Sequence, residues 1–151
     1  MLDLIVDFAS LLLAALVVGT LFGVRLFLNP AGLHANSYVV LQQQAIRTMN
    51  RVMPALGAVT ILLTLAAAVL GRGDRTRFFL MLAAVGCFAA IGLITRFLNQ
   101  PINAVVSAWR PELPPTDWTR LRDEWWRWHL VRLSTGLAGL SLLIAATLRR
   151  G

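Results

Sequence analysis

Apolar residues run along this chain in four long stretches, Leu4 to Leu28, Val52 to Leu70, Phe78 to Leu98 and Leu130 to Leu148. Each is about 19 to 25 residues, enough as a helix to cross a hydrocarbon core of roughly 30 Å. The pattern predicts an all-α fold: one transmembrane domain over residues 1–151, built as a four-helix bundle with both termini on the same face. Each crossing reverses direction, so the end of the first span, the start of the second, the end of the third and the start of the fourth share one side. Most of the unusual polar residues fall there: Arg25, His34, Gln42, Gln43, Gln44, Arg47, Asn50, Arg51, Arg96, Asn99, Asn103, Trp125, Trp128, His129 and Arg132. The opposite side holds little beyond Arg72, Asp74, Arg75, Arg77, Arg149 and Arg150.

The connections on the polar side are themselves patterned and add amphipathic, interfacial helical segments to the bundle. Tyr38, Leu41, Ala45, Met49 and Val52 recur at spacings of three and four, which predicts an apolar stripe on a helix running from about Asn36 into the second span. Gln43, Arg47 and Asn50 lie on another stripe of that helix and form one hydrogen-bonding edge. After the third span, Asn99 can cap a short helix that tolerates Pro101 in its first turn and carries Ile102, Val105, Val106 and Trp109 on one face. The prolines at 111, 114 and 115 break the chain. Thr116 or Asp117 then caps a long last helix whose Trp118, Trp125, Trp126 and Trp128 make an aromatic belt. Ala15, Gly19 and Gly23 form a small-residue ridge on the first span, and Gly86, Ala90, Gly136 and Gly139 offer close-approach points elsewhere.

Composition agrees with a membrane protein, with 58% hydrophobic residues and a mean hydropathy of +0.70. The first span is not a cleaved leader, because Asp3 and Asp7 stand where a leader has Lys or Arg and the apolar run is too long. The expected location is the bacterial inner membrane. A net charge of +7 comes from arginines spread over helix ends and loops. Without a compact basic motif it points to anionic membrane lipids and not to nucleic acid. Nine of the arginines fall on the polar side and five on the other, which by the positive-inside tendency makes the polar side cytoplasmic. Cys87 is the one cysteine, so neither a disulfide framework nor a cysteine metal motif exists. His34 and His129, the two histidines, show no metal-ligand spacing.

Chemistry has to come from the polar cluster. Arg96, Asn99 and Asn103 share a helical face, and so do Trp125, Trp128, His129 and Arg132. Two such faces at one mouth of the bundle make a pocket of imidazole, guanidinium and carboxamide groups with indole walls. Ionisable residues at membrane depth cost enough to count as functional candidates.

The Gln-rich helix with Ala45, Ile46, Asn50, Arg51 and Pro54, the Asn99-Gln100-Pro101-Ile102-Asn103 junction, and the run from Asp117-Trp118 through Arg122, Trp125, Trp128, His129 and Arg132 together resemble the anthrone oxygenase family of small four-span membrane proteins. That resemblance implies oxygenation of a hydrophobic aromatic or enolisable substrate by O2 without metal, flavin or other cofactor. It casts His129 as the base, Arg132 and Arg96 as stabilisers of the enolate, Asn99 and Asn103 as orienting groups, and Trp125 and Trp128 as ring-stacking walls. Gln43, Arg47 and Asn50 join the substrate-binding set.

Each of these residues also has a structural reading. His129 can be an interfacial hydrogen-bonding residue, and the tryptophans an interface belt. Arg132 and Arg96 can bind lipid phosphates or pair with Asp117, Asp123 and Glu124. Asn99 and Asn103 can be a cap and interhelical glue. The alternative function is a non-catalytic membrane module that binds a lipid or small hydrophobic ligand or assists assembly of a partner enzyme; the expected partners are membrane lipids, a small hydrophobic or aromatic molecule and a second copy of the chain in a homo-oligomer.

Overall fold

The computed structural model describes residues 1–149 and is built from helices: α1 (Leu2–Phe27), α2 (Ala35–Leu70), α3 (Arg75–Ile94), a π-helical turn (Thr95–Asn99), α4 (Gln100–Ser107) and α5 (Trp118–Leu148). Among the described residues, four helical rods are long and apolar enough to cross a membrane: α1, α2, α5 and the continuous rod Arg75–Ser107. Arg150, counted above on the far face, lies outside the described residues. At 36 residues α2 is about 54 Å long, against a hydrocarbon core of roughly 30 Å. Its first half therefore stands beyond the apolar slab, beside α4 and the start of α5.

That extra length creates two cores. The first lies among the spans and packs Ala14, Val18 and Leu21 of α1, Ala67 and Ala68 of α2, Met81, Ala84 and Phe88 of α3, and Leu133, Leu143 and Ala146 of α5. The second caps the polar face with Tyr38, Val39, Ile46, Ile102, Val106 and Trp125. Trp109, Trp118, Trp126 and Trp128 pack on this cap, so the tryptophans build a core as well as a belt.

Three local expectations are corrected. The buried stripe of α2 is Tyr38, Val39, Gln42 and Ile46, whereas Leu41 and Val52 are exposed. Apolar side chains can face outward at a membrane surface, so the apolar count misjudged which face turns inward. Asn99 occupies the first position before α4 but makes no side-chain cap; its amide crosses to α5 instead. No cap is needed, because the α3 rod runs on through the π turn, whose wider path accommodates Pro101 with its missing N–H and bulky ring. Asp117 likewise precedes α5 without a capping bond, and its carboxylate accepts from Arg120 at 3.4 Å.

The glycines divide into two groups. A Cβ built on Gly19, Gly23 or Gly86 meets no atom within 4 Å, so the ridge on α1 is not used inside this bundle. Gly139 is different: its Cβ would lie 2.8 Å from Cys87 Cβ and 3.2 Å from the Phe88 ring. There α5 and α3 touch almost backbone to side chain, as helices in lipid do when packing must supply the attraction.

The far face carries an interaction that the sequence reading passed over. Arg77 Nη2 donates to both carboxylate oxygens of Asp7, at 2.9 and 2.8 Å, and both residues are buried. This ion pair clips α1 to the start of α3. Asp74 caps α3 through bonds from the Thr76 and Arg77 amides, and the Arg77 guanidinium lies so close over Gly71 that a Cβ there would overlap it.

Breaking one member of a buried pair leaves a charge without compensation, at a cost of about 3–5 kcal/mol. Asp7→Leu and Arg77→Leu should each lower the melting temperature in detergent more than the double substitution does; equal or greater loss in the double variant would refute this role. Gly139→Val should destabilise the bundle by about 1–3 kcal/mol through overpacking, while Gly19→Val leaves thermal unfolding unchanged.

Candidate functional site

A cavity of about 430 Å³ lies at the seam between the two cores. Val17 and Leu21 of α1, Thr60 and Ile61 of α2 and Phe88 and Ile91 of α3 form its inner walls. Gln42, Asn50, Arg96, Asn103, His129 and Arg132 bring polar groups to an otherwise apolar lining. Its size is within the usual range for small-molecule sites, roughly 300–1,000 Å³.

Trp125 sets the geometry. Its backbone carbonyl accepts from Asn99 Nδ2 at 3.1 Å, and its indole Nε1 donates to Asn103 Oδ1 at 2.8 Å. Both bonds are buried, so the π turn and α4 hold α5 in one rotation. One turn later, His129 stacks on Trp125 with ring centroids 5.3 Å apart and planes within 2°. Trp126 flanks the same imidazole at 5.4 Å and carries the Arg25 guanidinium over its other surroundings, 5.4 Å from its ring centre.

Arg132 lies one further turn along α5. Nη1 donates to Thr95 Oγ1 at 3.1 Å, and Nη2 is 3.1 Å from His129 Nδ1. A guanidinium can only donate, so Nδ1 is the acceptor and the neutral imidazole carries its proton on Nε2. Thr95 is in place because the π turn presents it; its hydroxyl donates in turn to Ile91 O at 2.7 Å.

Three residues of the lining keep a buried nitrogen without a hydrogen-bond partner, His129 Nε2, Arg132 Nε and Gln42 Nε2, while one buried acceptor behind the lining, Asn99 Oδ1, is also unpartnered. The side-chain carbonyls of the lining amides at 50 and 103 are already engaged, Asn50 Oδ1 by Gln100 Nε2 at 2.7 Å and Asn103 Oδ1 by Trp125. Among the described residues no carboxylate lines the cavity. The site therefore offers spare donors and positive charge to whatever fills it.

Of the residues singled out from sequence, His129, Arg132, Arg96, Asn103, Trp125 and Asn50 line the cavity. Arg96 stays exposed at the rim. Asn99 is fully buried behind the lining, as the positioning bond to α5. Gln43 donates to the Val106 and Trp109 carbonyls at 3.1 and 2.9 Å, tying α2 to the end of α4. Arg47 is exposed, and neither it nor Trp128 lines the cavity. Asp117 and Asp123 pair with Arg120 and Arg122, not with Arg132. His34 is exposed at the start of α2, apart from the buried His129, and no group of three or more possible metal-ligating residues occurs among the described residues.

Two site residues escaped the sequence reading. Gln42 was passed over for Gln43 because the assumed apolar stripe was off by one position; Tyr38, Gln42 and Ile46 at spacings of four were the usable signal. Trp126 was treated as belt because residues one apart do not share a helical face, yet a large indole reaches the imidazole three positions on.

Such a fold and site define a helical membrane protein with a largely apolar cavity between its helices that carries imidazole, guanidinium and carboxamide groups. Residues 43–142 match the family described as anthrone oxygenase, and the chain belongs to that family. The matched region runs from Gln43 into α5 and takes in every polar residue of the cavity lining except Thr20 and Gln42. No curated protein and no solved structure matches the chain.

Asn103→Leu removes the only acceptor of a buried indole N–H and should cost about 1–3 kcal/mol in thermal unfolding. Arg96→Leu, at the exposed rim, should change unfolding by less than about 0.5 kcal/mol. Equal effects of the two substitutions would contradict the clasp on Trp125.

Proposed function

We propose that the protein oxygenates a flat, hydrophobic, enolisable aromatic ketone of the anthrone type inside this cavity. The observation that carries the reading is the donor set: His129, Arg132 and Gln42 line the cavity, each with a buried side-chain nitrogen that meets no hydrogen-bond partner, and no carboxylate stands among the described lining residues. A ligand with carbonyl or enolate oxygen would satisfy these nitrogens, and membership of the anthrone oxygenase family supports the anthrone type as its class.

The chemistry follows from charge. Loss of a proton from the carbon opposite the ketone gives a carbanion whose charge sits largely on oxygen as an enolate. Donors placed at that oxygen lower the cost of forming it, the logic of an oxyanion hole. The carbanion then gives one electron to O2, and the resulting radical pair combines to a carbon-bound peroxide. Protonation and loss of water with the remaining hydrogen on that carbon leave a second carbonyl, so one ketone and one O2 yield one quinone and one water. The carbanion itself is the reductant, so the balance closes without a further co-reactant.

The residues take somewhat different parts from those the resemblance implied. With Nδ1 engaged by Arg132, His129 presents Nε2–H and acts as a donor to the enolate oxygen. Its service as the base would require Arg132 to let go. Arg132 Nε and Gln42 complete the donor set, Arg96 adds positive charge at the rim, and Trp125 supports the imidazole. The substrate proton leaves to water at the rim.

Oxygen uptake by the reconstituted protein with anthrone as substrate tests this. Wild type should exceed the spontaneous rate, with one O2 consumed per anthraquinone formed. Arg132→Gln and His129→Phe, the latter keeping the aromatic stack, should each lose about 10²-fold or more. Uptake at the spontaneous rate would overturn the oxygenase reading; tight binding of anthraquinone without uptake would leave a hydrophobic-ligand binder.

A further inference from the structure

The exposed residues of the cavity lining all stand on one side of it. Asn50, Pro54 and Ala58 of α2 and Gly92 and Arg96 of the α3 rod are exposed, whereas every lining residue from α1 and α5 is buried or half-buried. The cavity thus opens between α2 and α3. On each rod the exposed lining positions recur every fourth residue, so they stack along a single edge.

Small residues keep that opening wide. A Cβ at Gly57 or Gly92 would meet no atom within 4 Å, and Ala58 beside them adds only a methyl. Toward the polar face the opening is bridged, because Gln100 Nε2 donates to Asn50 Oδ1 at 2.7 Å and ties α4 to α2. Toward the far face Ile61 and Phe88 close it against the transmembrane core. Between these ends the flanking residues Val59, Leu93 and Phe97 are exposed and apolar, on stretches that cross the membrane by length and hydropathy. Arg96 and Asn50 stand at the outer end of the slot, toward the polar face and water, while its deeper part between Ala58 and Gly92 has apolar shoulders suited to acyl chains.

We propose that the α2/α3 slot is a lateral portal, through which an apolar ligand dissolved in the bilayer reaches the cavity without crossing the headgroup region. The ligand class rests on the function proposed above; the route does not, and holds for any apolar molecule small enough for the cavity. Gly57, Ala58 and Gly92 are on this reading the residues that set access, while the donors deeper inside set recognition. The Asn50–Gln100 bond keeps the slot's outer end shut.

Carbene labelling from within the membrane tests the portal. Protein in phosphatidylcholine vesicles is irradiated with 3-trifluoromethyl-3-phenyldiazirine, a bilayer-partitioning carbene source, and the insertions are mapped by mass spectrometry. Leu21, Ile46 and His129 are buried residues of the cavity lining, and they should be labelled in wild type above Leu143, which is buried away from the cavity. Ala58→Trp and Gly92→Trp plug the slot from opposite helices and should each return that labelling to the Leu143 background. Leu93→Trp, on the lipid-facing shoulder, should leave it intact. Because both plugs sit at exposed positions, thermal unfolding identifies a variant that fails to fold, and the other then carries the test. Wild-type labelling at background, or labelling that survives a folded plug, overturns the portal. Failure of anthrone oxidation would overturn the chemistry and leave this labelling pattern in place.

Discussion

The upper half of this bundle depends on how Trp125 is held. Its carbonyl and its indole N–H are both buried and are met by two asparagines four residues apart on the neighbouring rod. An unmet amide or indole in such surroundings costs several kcal/mol, so α5 has one acceptable rotation. The placement of two of the site's polar side chains follows from that rotation: His129 and Arg132 lie four and seven residues further along the same face, and both line the cavity. The π turn contributes from the other side, since it aims Asn99 at α5 while Thr95, four residues earlier, receives Arg132.

The cavity exists because two cores meet without merging. α2 and α5 are longer than a membrane requires, and their excess folds with α4 into a cap of its own. Filling the seam with leucine would have been the stable solution; instead it holds three buried donors with no partner. Such a local violation of polar satisfaction must be offset elsewhere and is where function is expected. The compensation is visible at the opposite end, where the paired Asp7 and Arg77 and the close contact at Gly139 fasten the spans together. The far face is thus fastened by a buried ion pair, whereas at the polar face bonded amides stand beside a cavity whose lining residues keep unpartnered nitrogens.

The four spans, their alternation and the convergence of His129, Arg132, Asn99, Asn103 and Trp125 on one face were legible, because length and helical spacing decide them. Three features were not. The Asp7–Arg77 pair joins residues 70 positions apart, and Asp7 alone looked like a charge at a helix start. Gln42 and Gln43 are adjacent, so a rotation of 100° decides which enters the cavity; that rotation is set by contacts with α4 and α5 that no local period encodes. The π turn shifts register by one residue, which straight helical offsets through Pro101 do not anticipate. Arg47 and Trp128 share a face with lining residues by spacing, yet Arg47 is exposed and Trp128 packs on the second core, so neither lines the cavity.

The site's polarity and its opening toward lipid are two parts of one physical scheme. A flat aromatic ketone is neutral and accumulates in the bilayer; its enolate is charged and does not. On the proposed reading, a cavity that admitted the neutral molecule from lipid and offered desolvated donors only once inside would favour the charged form where it can meet O2, itself more soluble in hydrocarbon than in water. Donors in a dry site act with a strength that water would screen, and they cost no reorganisation when charge appears. On the proposed reading the oxygenated product is neutral again, makes weaker bonds to the same donors, and would return to the bilayer by the route of the substrate. Under that proposal, placing Arg132 and His129 behind a lipid-facing slot, instead of at the headgroup surface where phosphates would occupy them, would let one small bundle separate recognition of the neutral substrate from stabilisation of its anion.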